Sequence, residues 1–274
     1  SPARTSRKST ATPTAEPTAQ LPGVGETVSV DGSDLTLERV RCVGSLPYVH
    51  TDSGGVQTNP EGRYVLARVT TPAESPPAAS RYSLVAAGGR AHAVGSTGSF
   101  WLGPDGDRYP YSPGPGPDVG GSSGGWLAFP VDAELDVESP HIAVGATGWT
   151  LPKSVVARLR QPAARYELRE LAHPETVTPE ESFTVSVAVE NVGPVSGTFR
   201  AVLDTSIRYA SYARPVFVDL DPGAQRTWEL EFGPDEGLNE VGRVGELDLR
   251  TPVGDQNGEI EVVADTAVGT TTDR

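Results

Sequence analysis

Four aromatic residues, Trp101, Tyr109, Tyr111 and Trp126, bracket a long stretch rich in glycine and proline, and they are the first candidates for holding a ligand. Trp and Tyr bring large contact area with few rotatable bonds, so at a loop mouth they suit a sugar or a peptide. The same residues suit a β-sandwich interior equally well in kind, with Trp101 and Trp126 alternating into the core and the tyrosines covering its edge. Acidic loops are the second candidates. Asp105-Gly-Asp107, Asp219-Leu-Asp221 and Asp255-Gln-Asn-Gly-Glu259 offer oxygen ligands suited to Ca²⁺, with Asp105, Asp107, Asp255, Asn257 and Glu259 as the ligands expected. None of them completes the spaced loop of an EF-hand, and Asp-Gly and Asn-Gly steps have a turn explanation of their own. No other cofactor is expected.

Patterns for covalent chemistry are weaker. Gly121-Ser-Ser-Gly-Gly125 satisfies the G-x-S-x-G elbow that presents a nucleophilic serine, here Ser123. That elbow needs a strand before it and a helix after it, whereas this stretch follows Pro113-Gly-Pro-Gly-Pro117 and runs into a strand at Trp126. His50, His92, His141 and His173 stand singly, without the spacing of a zinc site. Cys42 is the only cysteine, so no internal disulfide forms, and its strand-like surroundings predict a buried thiol rather than a nucleophile. No catalytic residue is assigned, and the chain reads as a non-enzyme.

These residues must be positioned by strands. In Phe183-Thr-Val-Ser-Val-Ala-Val-Glu-Asn-Val-Gly193 the apolar residues fall at every second position, and Trp228, Leu230 and Phe232 do the same, which is the period of a strand buried on one face. Asp31-Gly32 between two alternating runs marks a hairpin. Further strands are expected at 64–69, 82–85, 99–102, 125–130, 140–144 and 149–151, followed by a short helix from Lys153 to Leu159. With 31 Gly and 25 Pro and no long run at helical spacing, the fold class is all-β: two tandem immunoglobulin-like antiparallel sandwiches. Residues 1–22, rich in Ser, Thr, Pro and Ala with a few charges, are expected to form a disordered stalk open to O-linked sugars; 23–160 are expected to form the first sandwich, 161–164 a linker, 165–263 the second sandwich and 264–274 a polar tail.

The formal charge of −14 argues against nucleic acid as a partner, because phosphate binding needs a basic patch, and anionic membrane surfaces are disfavoured for the same reason. Lys8 and Lys153 are the only lysines, and acidic residues are spread along the chain. This composition resembles proteins of salt-loving archaea, with an arginine-rich, high-GC bacterial sequence as the alternative. The sequence has no Met, which predicts that a leader was removed or the chain trimmed. No apolar run approaches the ~20 residues that span a bilayer, so any anchor would lie upstream of Ser1.

Two family resemblances follow from these motifs. Val24-Gly25-Glu26, the strand after Glu61-Gly62-Arg63, Tyr82-Ser-Leu84 and Gly124-Gly-Trp-Leu-Ala-Phe-Pro130 are similar to the DUF4352-type immunoglobulin-like domain, although Thr70-Thr-Pro72 departs from that family's pattern. Val189-Glu-Asn-Val-Gly193 and the Pro222-Gly223 turn make residues 165–263 resemble a CARDB-type immunoglobulin-like domain. Members of the first family are typically exported lipoproteins, and domains of the second carry no catalytic site of their own. The resemblances imply a non-catalytic, extracellular or surface-tethered module for adhesion, scaffolding or ligand presentation, with a surface protein or glycan as partner. The alternative is an accessory ligand-binding subunit of a surface transporter or enzyme, using the Tyr109–Trp126 loop.

Overall fold

A computed structural model of the chain describes residues 20–49, 53–60, 62–73, 76–86, 89–92, 100–101, 112–115, 123–179, 181–206, 212–233 and 240–265. Twelve strands come first: β1 (Thr27–Val30), β2 (Ser33–Val43), β3 (Ser45–Val49), β4 (Gly54–Thr58), β5 (Gly62–Thr71), β6 (Tyr82–Ala86), β7 (Gly89–His92), β8 (Phe100–Trp101), β9 (Ser112–Pro115), β10 (Ser123–Asp132), β11 (His141–Val144) and β12 (Thr147–Thr150). They form a five-stranded sheet in the order β1-β2-β5-β10-β9, a four-stranded sheet β12-β11-β6-β7 and a small sheet β4-β3-β8. The first two sheets face each other across a core that includes Leu35, Leu37, Val65, Tyr82, Phe129, Ile142 and Trp149. Helix α1 (Lys153–Leu159), where the sequence places it, adds Val155 and Leu159 to this core. Trp149 is fully buried and its indole N–H donates to the Glu26 carbonyl at 2.9 Å, so this large side chain leaves no polar atom unpaired.

The Asp31-Gly32 step closes the β1–β2 hairpin, with both residues at positive φ as a tight primed turn requires. Strand β5 departs from simple alternation. Arg63, Tyr64, Val65, Leu66 and Ala67 are all buried because both faces of the sheet are covered. Val65, Ala67 and Val69 face the main core, while Tyr64 and Leu66 join Val43, Leu46, Trp126 and Ala128 in a second cluster on the opposite face.

The remaining strands are β13 (Tyr166–Ala172), β14 (Thr176–Val177), β15 (Phe183–Asn191), β16 (Gly197–Thr205), β17 (Tyr212–Leu220), β18 (Gln225–Phe232), β19 (Val244–Arg250) and β20 (Gln256–Val262). They form the sheets β13-β15-β18 and β14-β20-β19-β16-β17, antiparallel except for the short parallel pair β14–β20. Their shared core holds Phe183, Val185, Val187, Phe199, Leu203, Val216, Leu249 and Ile260. The first, second and fifth long strands lie in the three-stranded sheet, opposite the others. The period-two reading of β15 and β18 holds: they pair antiparallel from Phe183–Phe232 to Glu190–Gln225, and the two Phe rings stack at 4.9 Å.

Asn191 locks one corner of this sandwich. It is fully buried; its Nδ2 donates to the Val195 and Leu220 carbonyls, and its Oδ1 accepts from the Gly193 amide. The bond from the Gly193 amide to Oδ1 is the turn contact that a short Asn side chain can make with the backbone two residues on. For Gly193 the reason is close approach: a Cβ there would lie 2.6 Å from the Arg165 amide nitrogen. Positive φ belongs instead to Gly223 in the Pro-Gly turn, at 73°.

The two sandwiches touch through the β3–β4 hairpin and through Arg158, which donates to the Ser196 carbonyl. Val49 of β3 packs on Val202 of β16, and the Gly54 amide donates to Asp204 Oδ2 at 2.9 Å. This cover explains why every residue from Phe199 to Thr205 is buried although alternate side chains point away from the sandwich core.

Candidate functional site

Of the four expected aromatic residues, Trp126 is the one whose side chain is described. Its side chain is buried, at 3% exposure, against Val43, Leu46, Tyr64 and Leu66 under the β3–β4 hairpin. It is a core residue, though of the outer cluster rather than of the sandwich interior. Trp101 pairs with Tyr48 across β3 and β8. Tyr109, Tyr111, Asp105 and Asp107 lie outside the described residues, as does His50.

The other expected calcium ligands lie along one hairpin but do not converge. Asp255 closes the β19–β20 turn: Oδ1 accepts from the Thr251 amide at 3.0 Å and Oδ2 from Arg250 at 3.1 Å. Asn257 and Glu259 follow on β20, opposite Asp248 and Glu246. Along a strand, Asp255 and Glu259 stand about 13 Å apart, too far to share one ion. Among the described residues no three His, Cys, Asp or Glu side chains form a metal-sized group. Ser123 opens β10 opposite Thr71 and runs directly into the strand, so it lacks the elbow's helix. His141 and His173 have their ring nitrogens near the carbonyls of Ser139 and Pro174.

Two polar pockets form where the sandwiches meet, and sequence spacing points to neither. The larger, about 490 Å³, is acidic. Its floor is Asp204, which is 8% exposed and pairs in register with Asp248 of the neighbouring strand. Glu246, Asp248 and Arg250 lie at alternate positions on the outer face of β19, and Asp255 reaches the rim from the turn. Arg250 makes ion pairs with Asp255 at 3.1 Å and Asp248 at 3.7 Å. With its amide oriented to suit its neighbours, Asn257 donates to Asp248 Oδ1 at 3.0 Å. Four carboxylates therefore face one guanidinium. Burial pushes the Asp204 carboxyl above its ordinary range; the Gly54 amide and Arg250 oppose this, and the nearby Asp248 charge adds to it. Asp204 Oδ1 is buried with no hydrogen-bond donor.

The smaller pocket, about 140 Å³, has the opposite sign. Arg63, Arg158 and Arg200 line it together with Cys42, Tyr166 and Thr198. Arg63 donates to the carbonyls of Arg158, at 2.7 Å, and of Gln161, so it ties β5 to the end of α1. Arg158 reaches across to the Ser196 carbonyl, and Arg200 lies over the Phe217 ring at 5.0 Å. Cys42 is a half-buried thiol rather than the fully buried one expected, and its partial burial still pushes its pKa up to about 11 despite Arg63 and Arg158. Burial likewise raises the Tyr166 hydroxyl to about 12.

No protein-family model matches the chain, and no curated protein sequence matches it. Solved structures give partial likenesses. A β-glucosidase from Listeria innocua in complex with isofagomine is 16% identical, covering 38% of this chain and 17% of its own, with a TM-score of 0.31. A Paenibacillus cycloisomaltooligosaccharide glucanotransferase is 13% identical over 38% of this chain and 15% of its own, at 0.33. The alkylpurine DNA glycosylase AlkC of Pseudomonas fluorescens, bound to DNA with an abasic site analog, is 15% identical over 39% and 32%, at 0.30. The chain thus spans less than a fifth of the length of the two carbohydrate-active enzymes. Among the described residues no helix is long and apolar enough to cross a membrane.

Proposed function

We propose that the chain is a non-catalytic recognition module of an exported or cell-surface protein, and that it meets a partner protein through the acidic junction cleft. The observation carrying this reading is the convergence of Asp204, Glu246, Asp248 and Asp255 on one cleft whose walls come from both sandwiches. A lysine- or arginine-bearing loop would find there an excess of carboxylates, partly shielded from water, in a groove held by paired strands rather than by a loose loop. The Ser/Thr/Pro/Ala-rich sequence of residues 1–22 supports a surface tether, and the resemblance to immunoglobulin-like surface domains supports presentation rather than catalysis.

The test uses a fluorescent lysine-rich peptide and anisotropy at low salt. Glu246→Gln combined with Asp248→Asn should weaken binding at least tenfold, whereas Glu229→Gln combined with Glu231→Gln, on the exposed strand β18, should leave it within about twofold. Equal losses in both pairs would mean that only net charge is sensed. Protease treatment of intact cells should remove the protein while a cytosolic marker survives; protection of both would refute the surface location.

A further inference from the structure

We propose that the arginine-lined pocket between the sandwiches binds a tetrahedral oxyanion group, a phosphate or a sulfate. The chain carries 36 acidic against 22 basic residues, yet Arg63, Arg158 and Arg200 line this one pocket and no carboxylate does. Within it the Arg63 and Arg158 charges oppose one another, and Glu134 only partly offsets this at Arg63, so an anion between them would be favourable. Among the described residues, Arg63 and Arg158 form no ion pair; they donate to carbonyl oxygens and to the Gln161 side chain.

The second observation is independent of charge. Arg63 is only 3% exposed, and although its two terminal nitrogens have acceptors, its Nε–H is buried with none. A buried donor left unpaired is rare in folded proteins and is destabilising, and an oxyanion oxygen would satisfy it. The Tyr166 hydroxyl, also at the wall, stays protonated well above neutral pH and can donate. The volume of about 140 Å³ admits several water-sized groups at ~30 Å³ each, and so a five-atom oxyanion. Guanidinium forks suit the geometry of phosphate and sulfate oxygens. Because Arg63 and Arg158 come from the first sandwich and its helix while Tyr166 and Arg200 come from the second, a bound oxyanion would join the two.

Such a group could arrive as the free ion or as an ester on a sugar. Isothermal titration with inorganic phosphate, inorganic sulfate, galactose 6-sulfate and galactose, each against chloride at equal ionic strength, separates the sources. Saturable binding of the inorganic ions is expected, and it should weaken at least tenfold in both Arg158→Gln and Arg200→Gln. Arg63→Ala is avoided as the primary variant because it also removes the link to α1. Galactose 6-sulfate binding as well, with galactose inert, would assign the ester; its failure would assign the free ion. Sulfate stabilises proteins generally by exclusion from their surfaces, so thermal melts are read as the difference between wild type and variants. No saturable binding, or binding undiminished in both variants, would overturn the proposal, whatever the fate of the acidic cleft.

Discussion

The two junction pockets both draw on strand β16 but have no lining residue in common, and they solve opposite electrostatic problems. In the acidic cleft, Arg250 is 37% exposed and its pairs with Asp248 and Asp255 are wet, so they orient side chains without holding the fold. In the arginine pocket, Arg63 is buried and bonded to backbone carbonyls, so the same residue type becomes a structural tie. A cation's role here is set by what accepts its hydrogen bonds and by how much water remains, not by its charge.

The largest expected effect tests that contrast directly. Arg63→Ala should lower unfolding free energy by about 3 kcal/mol, since two bonds from a charged donor vanish and the carbonyls of Arg158 and Gln161 lose their partner; Arg250→Ala should lose less than about 1 kcal/mol. Urea denaturation measures both, and similar losses would erase the distinction.

Next comes Cys42, on the wall of the arginine pocket. With its pKa moved from 9.0 to about 11, the folded protein at pH 8 should hold roughly a hundredth of the thiolate of the unfolded chain. Iodoacetamide should therefore modify it at least about a hundredfold more slowly before denaturation than after it. Comparable rates would show that the pocket wall is open to water.

A smaller effect concerns the contact that walls the cleft. Val202→Ala should cost about 2 kcal/mol through the lost methyl groups and the gap left against Val49. The anisotropy signal of the lysine-rich peptide should fall with it if the hairpin shapes the cleft, and a variant that loses stability but binds unchanged would separate the two.

Smallest is a pH effect at Asp204. Its carboxyl titrates higher in the folded state than in the unfolded chain, so its contribution is present in full below the ordinary carboxylate range and is lost as pH rises through the raised value. Asp204→Asn, which keeps an acceptor for the Gly54 amide, should remove this loss: the variant should gain relative to wild type in melts run from pH 4 to pH 7. A difference that does not change with pH would mean that Asp204 is charged at no penalty.

The sandwiches were largely legible because their signals are local. Phe183, Val185, Val187 and Val189 announce β15 through spacing alone, Asp31-Gly32 announces a hairpin, and Lys153 to Leu159 reads as a helix within a single segment. The junction was not legible. Arg63 looks like any charged residue at a strand start, and only the return of the chain at Gln161 makes it a tie. Ser45-Leu-Pro-Tyr-Val49 carries a proline inside a strand, which weakens the strand signal, and its packing partner Val202 is more than 150 residues away. Trp126 had both readings open; its neighbours Leu127 and Phe129 face the main core, and the pleat then turns Trp126 outward, where a hairpin with no sequence signature covers it.

The β3–β4 hairpin also bears on mechanics. A short connection at 161–164 would by itself act as a swivel, free to twist one sandwich about the other. The Val49–Val202 contact and the Gly54–Asp204 hydrogen bond add a strut beside it, as the Arg158–Ser196 bond does on the helix side. Several ties resist torsion where a single connection does not, so a pull transmitted along the chain would load them before it could turn the sandwiches. The spacing between the acidic and arginine pockets would then behave as a fixed gauge under tension, until the strut itself gives way.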